Sequence, residues 1–551
     1  MKPFLGLRGT HLDVAIAIVA ATDLLLFGYD QGVTGGLLTL PSFTAVFPKI
    51  CTTAECTAGF TSSEAYHRSL IQGVVVASYS LGCFFGTIAS IFLGDRLGRL
   101  KSIFFGSATM LVGAILQTTA YSLPQLIAGR IICGIGNGIN TSTVPVWQAE
   151  CSKPHRRGVT AAFDLSLVLA GVAVAYWVDL GLSYAEPSSV AWRFPIALQL
   201  LFIIIVMAVI FLMPESPRWL IMKDRYDEAG RVLQAINDVE LDHPLITNQI
   251  QAIRVTLAVA GQGKFTHIFN TGTPNNLHRT LLSYGIQVLQ QLAGINVITY
   301  YAASIYQEQI HLSPLVSRIL AGVTSTVYFF SAFPTYFTIE RFGRRTLLMT
   351  GSAGMAISMA VMAGALSQNT TAAGLAATTF IFVYNFFFAN GWNPVPWLYP
   401  SEVVPLAIRQ QANAFAVSAN WIFGFMIVMV SPLMFTALGW KTYIFYAAIN
   451  FATVPIIYFC YPETAYRSLE EMDIIFSKSK GFLDVVKVAQ AEPNHFNHRG
   501  ELLRAEISYN KLNDQGFSET AVMKSCRLLL LMHQLLRQFK HFVLPYRFAC
   551  P

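Results

Sequence analysis

The feature that most constrains this chain is a series of apolar stretches, each long enough to cross a lipid bilayer. The hydrocarbon core of a bilayer needs about 20 apolar residues in a helix, and such stretches recur twelve times along the 551 residues. Only 12% of the residues are charged, against roughly a quarter in an ordinary globular domain, which excludes a soluble enzyme. The sequence therefore predicts an all-α membrane protein with twelve transmembrane helices. They are expected at residues 14–38, 70–93, 102–121, 124–147, 159–181, 193–213, 280–306, 315–338, 346–366, 375–400, 412–437 and 440–461.

The distribution of lysine and arginine predicts which side each loop faces. Basic residues collect in the loops after spans 2, 4, 8 and 10, and the alternate loops carry fewer. By the positive-inside rule both termini lie in the cytoplasm, and the protein is a multi-pass protein of the cell membrane. The loop at 42–67 then faces outside, where Cys51 and Cys56 are the cysteines able to be oxidised together. The net charge of +7 is an orientation signal and indicates no nucleic-acid partner.

A polar segment after the sixth span divides the twelve spans into two pseudo-symmetric bundles of six. An internal repeat supports this division, because the motif from Gly94 to Arg99 follows the second span and the motif from Glu340 to Arg345 follows the eighth. Duplicated halves of this kind rock about a central site in secondary transporters. The predicted parts are the bundle 1–213, the linker 214–279, the bundle 280–461 and a cytoplasmic tail 462–551.

Charged residues repeat at equivalent helix ends of the two halves. Glu150 precedes Arg157 by seven residues after the fourth span, and Glu402 precedes Arg409 by seven after the tenth. These charges either only orient the loops or form latches between helices that hold one conformation closed. We expect the second, a cytoplasmic gate of Asp95, Arg99, Glu150, Arg157, Glu215, Arg218, Glu340, Arg344, Glu402 and Arg409.

Ionisable residues within the spans are costly to insert, so each is a candidate functional residue. Asp30 lies in a glycine-rich part of the first span, and Arg130 lies near the start of the fourth. A buried aspartate needs a proton or a cation, so Arg130 is its candidate partner, either in proton coupling or in a permanent ion pair. Asp23 lies on nearly the same face of the first span, two turns away. It is either a second titrating group or an acid hydrogen-bonded to a neighbouring helix, and we favour the hydrogen-bonded role.

Span 7 carries a polar face suited to a polyhydroxylated ligand, because amides both donate and accept hydrogen bonds and aromatic rings cover apolar sugar faces. Gln287, Gln290 and Gln291 share this face, and Gly294 is expected to bend the helix so that Asn296 joins the same cavity. The alternative is hydrogen bonding between helices. Prolines break the backbone hydrogen bonds of span 10 and make it a natural gate. The further candidate substrate contacts are Asn393, Trp397 and Asn420.

Taken together, these segments resemble the sugar porter family of the major facilitator superfamily, most closely its fungal members. The resemblance runs from about residue 14 to 473, and the order of its motifs is highly specific. It implies alternating access, with sugar contacts at Gln290, Gln291, Asn296, Trp397 and Asn420. It also implies a proton site at Asp30 with Arg130. The motifs are GYDQGVTGG at 28–36, GDRLGR at 94–99, GR at 129–130, the run at 145–158, PESPRWL at 214–220, QQLAGIN at 290–296, ERFGRR at 340–345 and PETAYRSLEE at 462–471.

Two departures from the family pattern concern the substrate. Leu165, with Asp164 beside it, stands where the family usually places a sugar-binding glutamine, and Asn393 stands where glycine is common. Asp164 is therefore a further candidate contact, and the substrate is a hexose, a pentose, a disaccharide, a polyol or a non-sugar carboxylate.

The sequence predicts a secondary transporter that takes up a sugar across the plasma membrane in symport with protons. The alternatives are a facilitative sugar uniporter, an importer or exporter of another small metabolite, and a non-transporting sugar sensor. No cofactor or metal is expected beyond the coupling proton, and the partners are the sugar, the proton and the lipid bilayer around a monomer. Asn369 begins a glycosylation sequon, and the amphipathic segment 522–544 is either a membrane-surface helix or disordered.

Overall fold

A computed structural model of the chain describes residues 3–52, 60–152, 157–240, 242–260, 265–272, 275–368, 370–467 and 469–493. Among these residues every regular element is helical, and residues 1–492 form one compact unit. Cys56, Asn369 and the segment 522–544 lie outside the described residues, whereas Cys51 is disulfide-bonded. The first six spans are the helices α1 (Gly9–Leu37), α2 (Ser62–Leu97), α3 (Arg99–Thr118), α4 (Leu123–Cys151), α5 (Arg157–Ser183) and α6 (Val190–Val209).

The second half repeats this arrangement with three interrupted helices. Its spans are α7 (Asn276–Leu292 and Ile295–Ser304), α8 (Pro314–Ser331 and Thr335–Phe342), α9 (Arg344–Leu366), α10 (Thr371–Phe387 and Val395–Val403), α11 (Arg409–Leu438) and α12 (Lys441–Cys460). The two segments of α8 meet at 46°. A π-helical turn follows α7 at Ile305–Gln309, and another, Phe388–Trp392, joins the segments of α10.

The predicted count of twelve spans agrees with these helices. Ten of them are long and apolar enough to cross a membrane, and the bent pair of α8 supplies an eleventh. The twelfth is α4, which is 29 residues long but carries buried polar residues and packs chiefly between α2 and α3. Large apolar side chains face outward from the bundle, among them Phe337, Phe451 and Phe92, as a lipid-facing surface requires.

The two halves pack against each other along three helix pairs: α2 with α11, α5 with α8, and α1 with α7. Close approach depends on glycine where α2 meets α11, because a Cβ atom added to Gly73 would lie 2.0 Å from the carbonyl oxygen of Met429. The polar residues of the candidate sites lie between these pairs. The end of the bundle that carries the loops at Gly98 and Gly343, predicted to be cytoplasmic, is called the basic end below. The opposite end, with the loop at Cys51, is called the far end.

The linker forms short helices that cover the basic end of the first half. These are Pro217–Met222, Tyr226–Asn237 and Pro244–Ala260, followed by a 3-10 turn at Phe265–Phe269. Apolar residues of the linker, such as Trp219 and Val232, share a core with residues of α1 and α6.

The segment after α12 begins as structured chain packed on the second half. Its helices are Leu469–Lys478 and Val485–Ala491, and buried Phe476 and Val485 belong to the same core as α7. Arg279, fully buried at the start of α7, pairs with Asp473 at 2.6 Å. The part of the predicted tail that the structure describes is therefore docked on the bundle.

Candidate functional site

The centre of the bundle is organised around two carbonyl groups that the prolines of α10 leave without helical partners. Because proline has no N–H group, Pro396 cannot bond to the carbonyl of Trp392, and Pro400 cannot bond to that of Pro396. Both carbonyls instead accept hydrogen bonds from α7. Nε2 of Gln290 donates to the Trp392 oxygen at 2.6 Å, and Nε2 of Gln287 donates to the Pro396 oxygen at 2.8 Å.

The oxygens of the same two glutamines are held by α11. Nδ2 of Asn420 donates to Oε1 of Gln287 at 2.6 Å and to Oε1 of Gln290 at 2.7 Å. All three side chains are at least 94% buried. The structure thus brings three of the predicted substrate contacts into one hydrogen-bonded cluster, which we call the amide cluster.

The bend that the sequence predicts in α7 is present at Gly294. This residue has φ +98°, a conformation that favours glycine. The bend places Asn296 beside Gln291, to which its Nδ2 donates a hydrogen bond. The carbonyl of Ala293, left open at the break, accepts hydrogen bonds of 2.9 Å from Tyr384 of α10 and Asn450 of α12.

The remaining predicted substrate contacts lie outside this network. Trp397 and Asn393 of α10 are half-buried, and among the described residues no side-chain hydrogen bond joins either of them to the amide cluster. The side chain of Asp164 lies outside the described residues. Their role as substrate contacts stays a prediction. Trp392, which the sequence did not single out as a contact, is fully buried and donates to Ser352 of α9 at 2.9 Å.

Contacts between the two halves enclose the central polar residues. Towards the far end, the Tyr176 hydroxyl of α5 donates to the carbonyl of Thr299 in α7 at 2.7 Å. Towards the basic end, the hydroxyls of Ser166 in α5 and Tyr336 in α8 are 2.7 Å apart. The rings of Phe27 in α1 and Trp421 in α11 lie edge to face at 5.6 Å. These contacts join the two halves on both sides of the central polar residues.

A cavity of about 200 Å³ lies at the far end, between α2, α7 and α11. Its lining combines hydroxyl, amide and carboxyl groups with the ring of Tyr301. Glu308, in the π-helical turn that ends α7, accepts a hydrogen bond from Thr52 at 3.1 Å. This cavity is a polar vestibule on the side opposite the basic end.

Asp30 lies in a pocket formed by α2 and α4. It is 3% exposed, and Oδ2 accepts a hydrogen bond of 3.3 Å from the Tyr79 hydroxyl and a longer one, 3.6 Å, from the Cys133 thiol. Tyr79 and Cys133 could not be identified from the sequence, because their contact with Asp30 depends on how α1, α2 and α4 align.

Arg130 reaches α1 one turn beyond Asp30. Its guanidinium donates to the Thr34 hydroxyl and, at 2.9 Å, to the carbonyl of Val76. The expected direct ion pair is therefore absent among the described contacts. The reason is register: α1 and α4 run in opposite directions, Cys133 faces Asp30, and Arg130, three residues earlier, faces Thr34.

At the basic end of the first half, charged residues of three segments meet. Arg99 of α3 pairs with Glu150 of α4 at 3.2 Å. Glu215 accepts hydrogen bonds from the backbone N–H groups of Arg99 and Leu100 at 3.0 and 3.2 Å, and so caps the start of α3. Ser216 donates to Glu150 at 2.6 Å. Burial raises the pKa of the Glu215 carboxyl, although the backbone N–H groups bound to it act in the opposite direction.

The second half repeats this cluster. Arg344 of α9 pairs with Glu402 of α10 at 2.8 Å and with Glu340 at 2.9 Å. Glu463 accepts from the backbone N–H groups of Arg344 and Arg345 at 2.8 and 3.0 Å, and Thr464 donates to Glu402 at 2.6 Å. Glu463, Ser216 and Thr464 were not among the residues predicted for the gate. The signal was present, because the triplets Pro-Glu-Ser at 214–216 and Pro-Glu-Thr at 462–464 follow the last span of each half.

The other predicted gate residues are placed less fully. The side chains of Asp95 and Arg157 lie outside the described residues. Arg218 is half-buried in the helix Pro217–Met222, and Arg409 donates to the carbonyl of Val404. The ion pairs just described join helices within one half, and their role in gating stays a prediction.

Two bundles of six helices, packed around broken helices and a buried polar centre, define a membrane transporter of the major facilitator fold. The model of the sugar (and other) transporter family matches residues 16–476, and the chain belongs to this family.

Relatives and solved structures agree with this assignment. The chain is 36% identical to the sugar transporter STL1 of Saccharomyces cerevisiae over 547 residues, which cover 94% of each chain. It is 37% identical to the major facilitator superfamily transporter mfsA of Aspergillus fumigatus, over 86% of this chain and 88% of the relative. The fold matches that of the proton:xylose symporter XylE of E. coli with a TM-score of 0.70 at 24% identity, covering 84% of this chain and 99% of XylE.

Proposed function

We propose that this protein is a proton-coupled transporter of a sugar or a related polyhydroxylated solute. It acts as a monomer in the plasma membrane, with both termini in the cytoplasm and no cofactor. Solute and proton move together through alternating access of the two halves.

The amide cluster carries this proposal. Gln287, Gln290 and Asn420 come from two helices of the second half, α7 and α11, and the glutamines bond to the backbone of a third, α10. In this structure their groups satisfy one another and the open carbonyls of α10. A solute with several hydroxyls can replace the bonds of Asn420 one for one, because each hydroxyl both donates and accepts. A solute without such groups would leave buried amides unsatisfied, at about 1–3 kcal/mol each.

Asp30 supports coupling to protons. It is buried and bonded to Tyr79 and Cys133, while Arg130 lies one turn away on Thr34. Protonation removes the charge of Asp30, whereas a charged Asp30 attracts the guanidinium across one helical turn. Arg130 thus has two alternative positions, and the protonation state selects between them. The similarity in fold to XylE, a proton:xylose symporter, agrees with this coupling.

The open backbone of α7 and α10 supports movement at the centre. Gly294 interrupts α7, and the turn Phe388–Trp392 interrupts α10. The short helical segments on either side of each break can move without breaking further helical hydrogen bonds. The charge clusters at the basic end hold α3 to α4 and α9 to α10 while this happens.

The direct test is uptake into proteoliposomes that contain the purified full chain. The panel is radiolabelled D-glucose, D-xylose, maltose, sorbitol and quinate, each with and without an inward proton gradient. We expect accumulation of at least one polyhydroxylated solute driven by the gradient. Saturable flux that ignores the gradient would indicate a uniporter. No flux of any panel solute would contradict the proposal and favour a sensor or a carrier of another metabolite.

The coupling residue is tested with Asp30→Asn. This variant should lose gradient-driven accumulation and keep exchange of labelled for unlabelled solute, because exchange needs no net release of protons. Asp238→Asn, an exposed acid of the linker whose left-handed backbone also suits asparagine, is the control. Normal accumulation by Asp30→Asn would refute proton coupling at this residue.

A further inference from the structure

A second carboxyl group lies in the same helix as Asp30, nearer the basic end. Asp23 is 2% exposed, and its Oδ1 accepts a hydrogen bond of 2.7 Å from Nδ2 of Asn140 in α4. Its Oδ2 is buried and has no hydrogen-bond partner among the described residues. In that part of the structure, no lysine or arginine bonds to Asp23. A lasting charge on a carboxylate in such surroundings is costly, so this group is suited to hold and exchange a proton.

Three polar side chains follow one face of α4 between the levels of the two carboxyl groups. Cys133 contacts Asp30, and Asn140 contacts Asp23. Because seven residues separate the members of each pair and the two helices are antiparallel, both contacts form in register. Asn137 lies between them on the same face of α4. We call Cys133, Asn137 and Asn140 the polar seam.

The polar seam is not saturated by its own hydrogen bonds. Nδ2 of Asn137 donates weakly to the Cys83 sulfur at 3.5 Å, and Nδ2 of Asn140 also bonds to Ser107 at 3.0 Å. The oxygens Oδ1 of both asparagines are buried and have no hydrogen-bond partner in the part of the chain that the structure describes. Asp30 and Asp23 lie about 10.5 Å apart along the helix axis, and Asn137 offers an open acceptor at a level between them, whereas Oδ1 of Asn140 packs against Gly106 of α3.

The electrostatic potential between Asp30 and Asp23 depends on the charged and titratable groups around them. Asp30 and Asp23 lie on α1, and α6 contributes Gln199, which is 4.0 Å from the Cys133 sulfur. The one cation among them, Arg130, bonds to Thr34 on the far side of Asp30 and lies furthest from Asp23. The titratable groups on the neighbouring helices include Tyr79 and Cys83 of α2, Arg130 and Cys133 of α4, and Tyr300 of α7. Tyr29 of α1 lies next to Asp30, and Asp179 of α5 lies against Gly36, further from Asp23.

We propose that Asp23 is the second proton-carrying residue of the transporter, which receives the proton released by Asp30 along the polar seam and passes it towards the basic end. The proposal rests on the proton coupling proposed above. The transfer is a movement of H⁺ alone: the carboxyl of Asp30 loses the proton, and the carboxylate of Asp23 gains it. Asp23 is thus more than a buried acid that holds α1 to α4.

Two variants separate a proton-carrying role from a packing role. Asparagine at position 23 keeps the shape and the oxygen that accepts from Asn140, but it cannot titrate. Glutamate can titrate, but it does not fit the bond to Asn140 at 2.7 Å without a shift. A packing role therefore predicts a harmless Asp23→Asn and a harmful Asp23→Glu, whereas the proton-carrying role predicts the reverse order.

The first measurement is transport of the panel solute that the wild-type chain accumulates most strongly. We expect Asp23→Asn to lower gradient-driven accumulation at least about tenfold, the size of a lost proton-transfer group, and to leave exchange within about twofold. Asp23→Glu should retain accumulation with an altered pH profile. Ser107→Ala, which loosens Asn140 but leaves the carboxyl, is the matched control and should behave as wild type. Normal accumulation by Asp23→Asn would overturn the proposal.

The second measurement needs no solute. Infrared difference spectra recorded during a pH titration of the reconstituted protein should show carboxyl bands that Asp23→Asn and Asp30→Asn each reduce. An unchanged spectrum in Asp23→Asn would also overturn the proposal. Loss of accumulation in Asp30→Asn with normal behaviour of Asp23→Asn would refute only the role of Asp23. Normal accumulation in Asp30→Asn would refute the proton coupling itself.

Discussion

Replacement of Asn420 by alanine tests the amide cluster most directly. The change removes one donor group and leaves Oε1 of Gln287 and Oε1 of Gln290 without hydrogen bonds. Each buried acceptor left unsatisfied costs about 1–3 kcal/mol. The two together give a loss of about 2–6 kcal/mol in the free energy of unfolding, and we expect the lower half because water can enter the vacated space.

Aspartate at the same position should be worse than alanine. It places carboxyl oxygens where a donor now lies 2.6 and 2.7 Å from two glutamine oxygens. The glutamines cannot turn their amides to compensate, because each Nε2 already satisfies a carbonyl that a proline of α10 leaves open. The expected order of stability is therefore asparagine, then alanine, then aspartate.

The assay is equilibrium unfolding of the solute-free protein in mixed detergent micelles, followed by circular dichroism. Asn390→Ala is the control, because Asn390 also donates two hydrogen bonds, at 3.1 and 2.8 Å, but to backbone carbonyls at a half-buried site. Its loss should stay below about 1 kcal/mol. An Asn420→Ala protein within about 0.5 kcal/mol of wild type, or an aspartate variant more stable than the alanine variant, would refute the reasoning.

Two further predictions concern the helix breaks and the basic end. Pro400→Ala restores an N–H group that competes with Gln287 for the Pro396 carbonyl, so we expect uptake to slow about tenfold without loss of stability; an unchanged uptake rate would contradict this. Gly343→Ala and Gly98→Ala should each lower the melting temperature, because both residues have positive φ and the added Cβ would lie 2.5 and 2.8 Å from a glutamate oxygen. The strain is about 1–3 kcal/mol at each glycine. Gly364→Ala, whose Cβ would meet nothing within 4 Å, is the control.

The architecture could be predicted from the sequence because its signals are local. A span is recognised from the apolar residues of one segment, and the bend of α7 from a single glycine. The repeat of the halves is visible in matching motifs, and the two clusters of the basic end follow it closely. Even Glu215 and Glu463, which cap equivalent helices, occupy the same place after the last span of each half.

The hydrogen-bond partners of Asp30 and Arg130 could not be predicted from the sequence. The sequence identifies both as costly intramembrane residues, but their pairing depends on the register between α1 and α4. Because Arg130 lies one helical turn away from the level of Asp30, it bonds to Thr34, and Asp30 bonds to Tyr79 and Cys133. No periodicity within either helix contains that information.

The sequence by itself thus determined a twelve-helix transporter, its two halves and the few polar residues that bilayer burial makes expensive. Only the tertiary structure decided how those residues are satisfied. It showed that the glutamines of α7 donate hydrogen bonds to the open carbonyls of α10. It also showed that Asp23 bonds to Asn140, on the same face of α4 as the Cys133 that contacts Asp30. The physical reason is that the cost of burying a polar group depends on the residue alone. The hydrogen bond that offsets this cost depends on which neighbouring helix the packing places next to that residue.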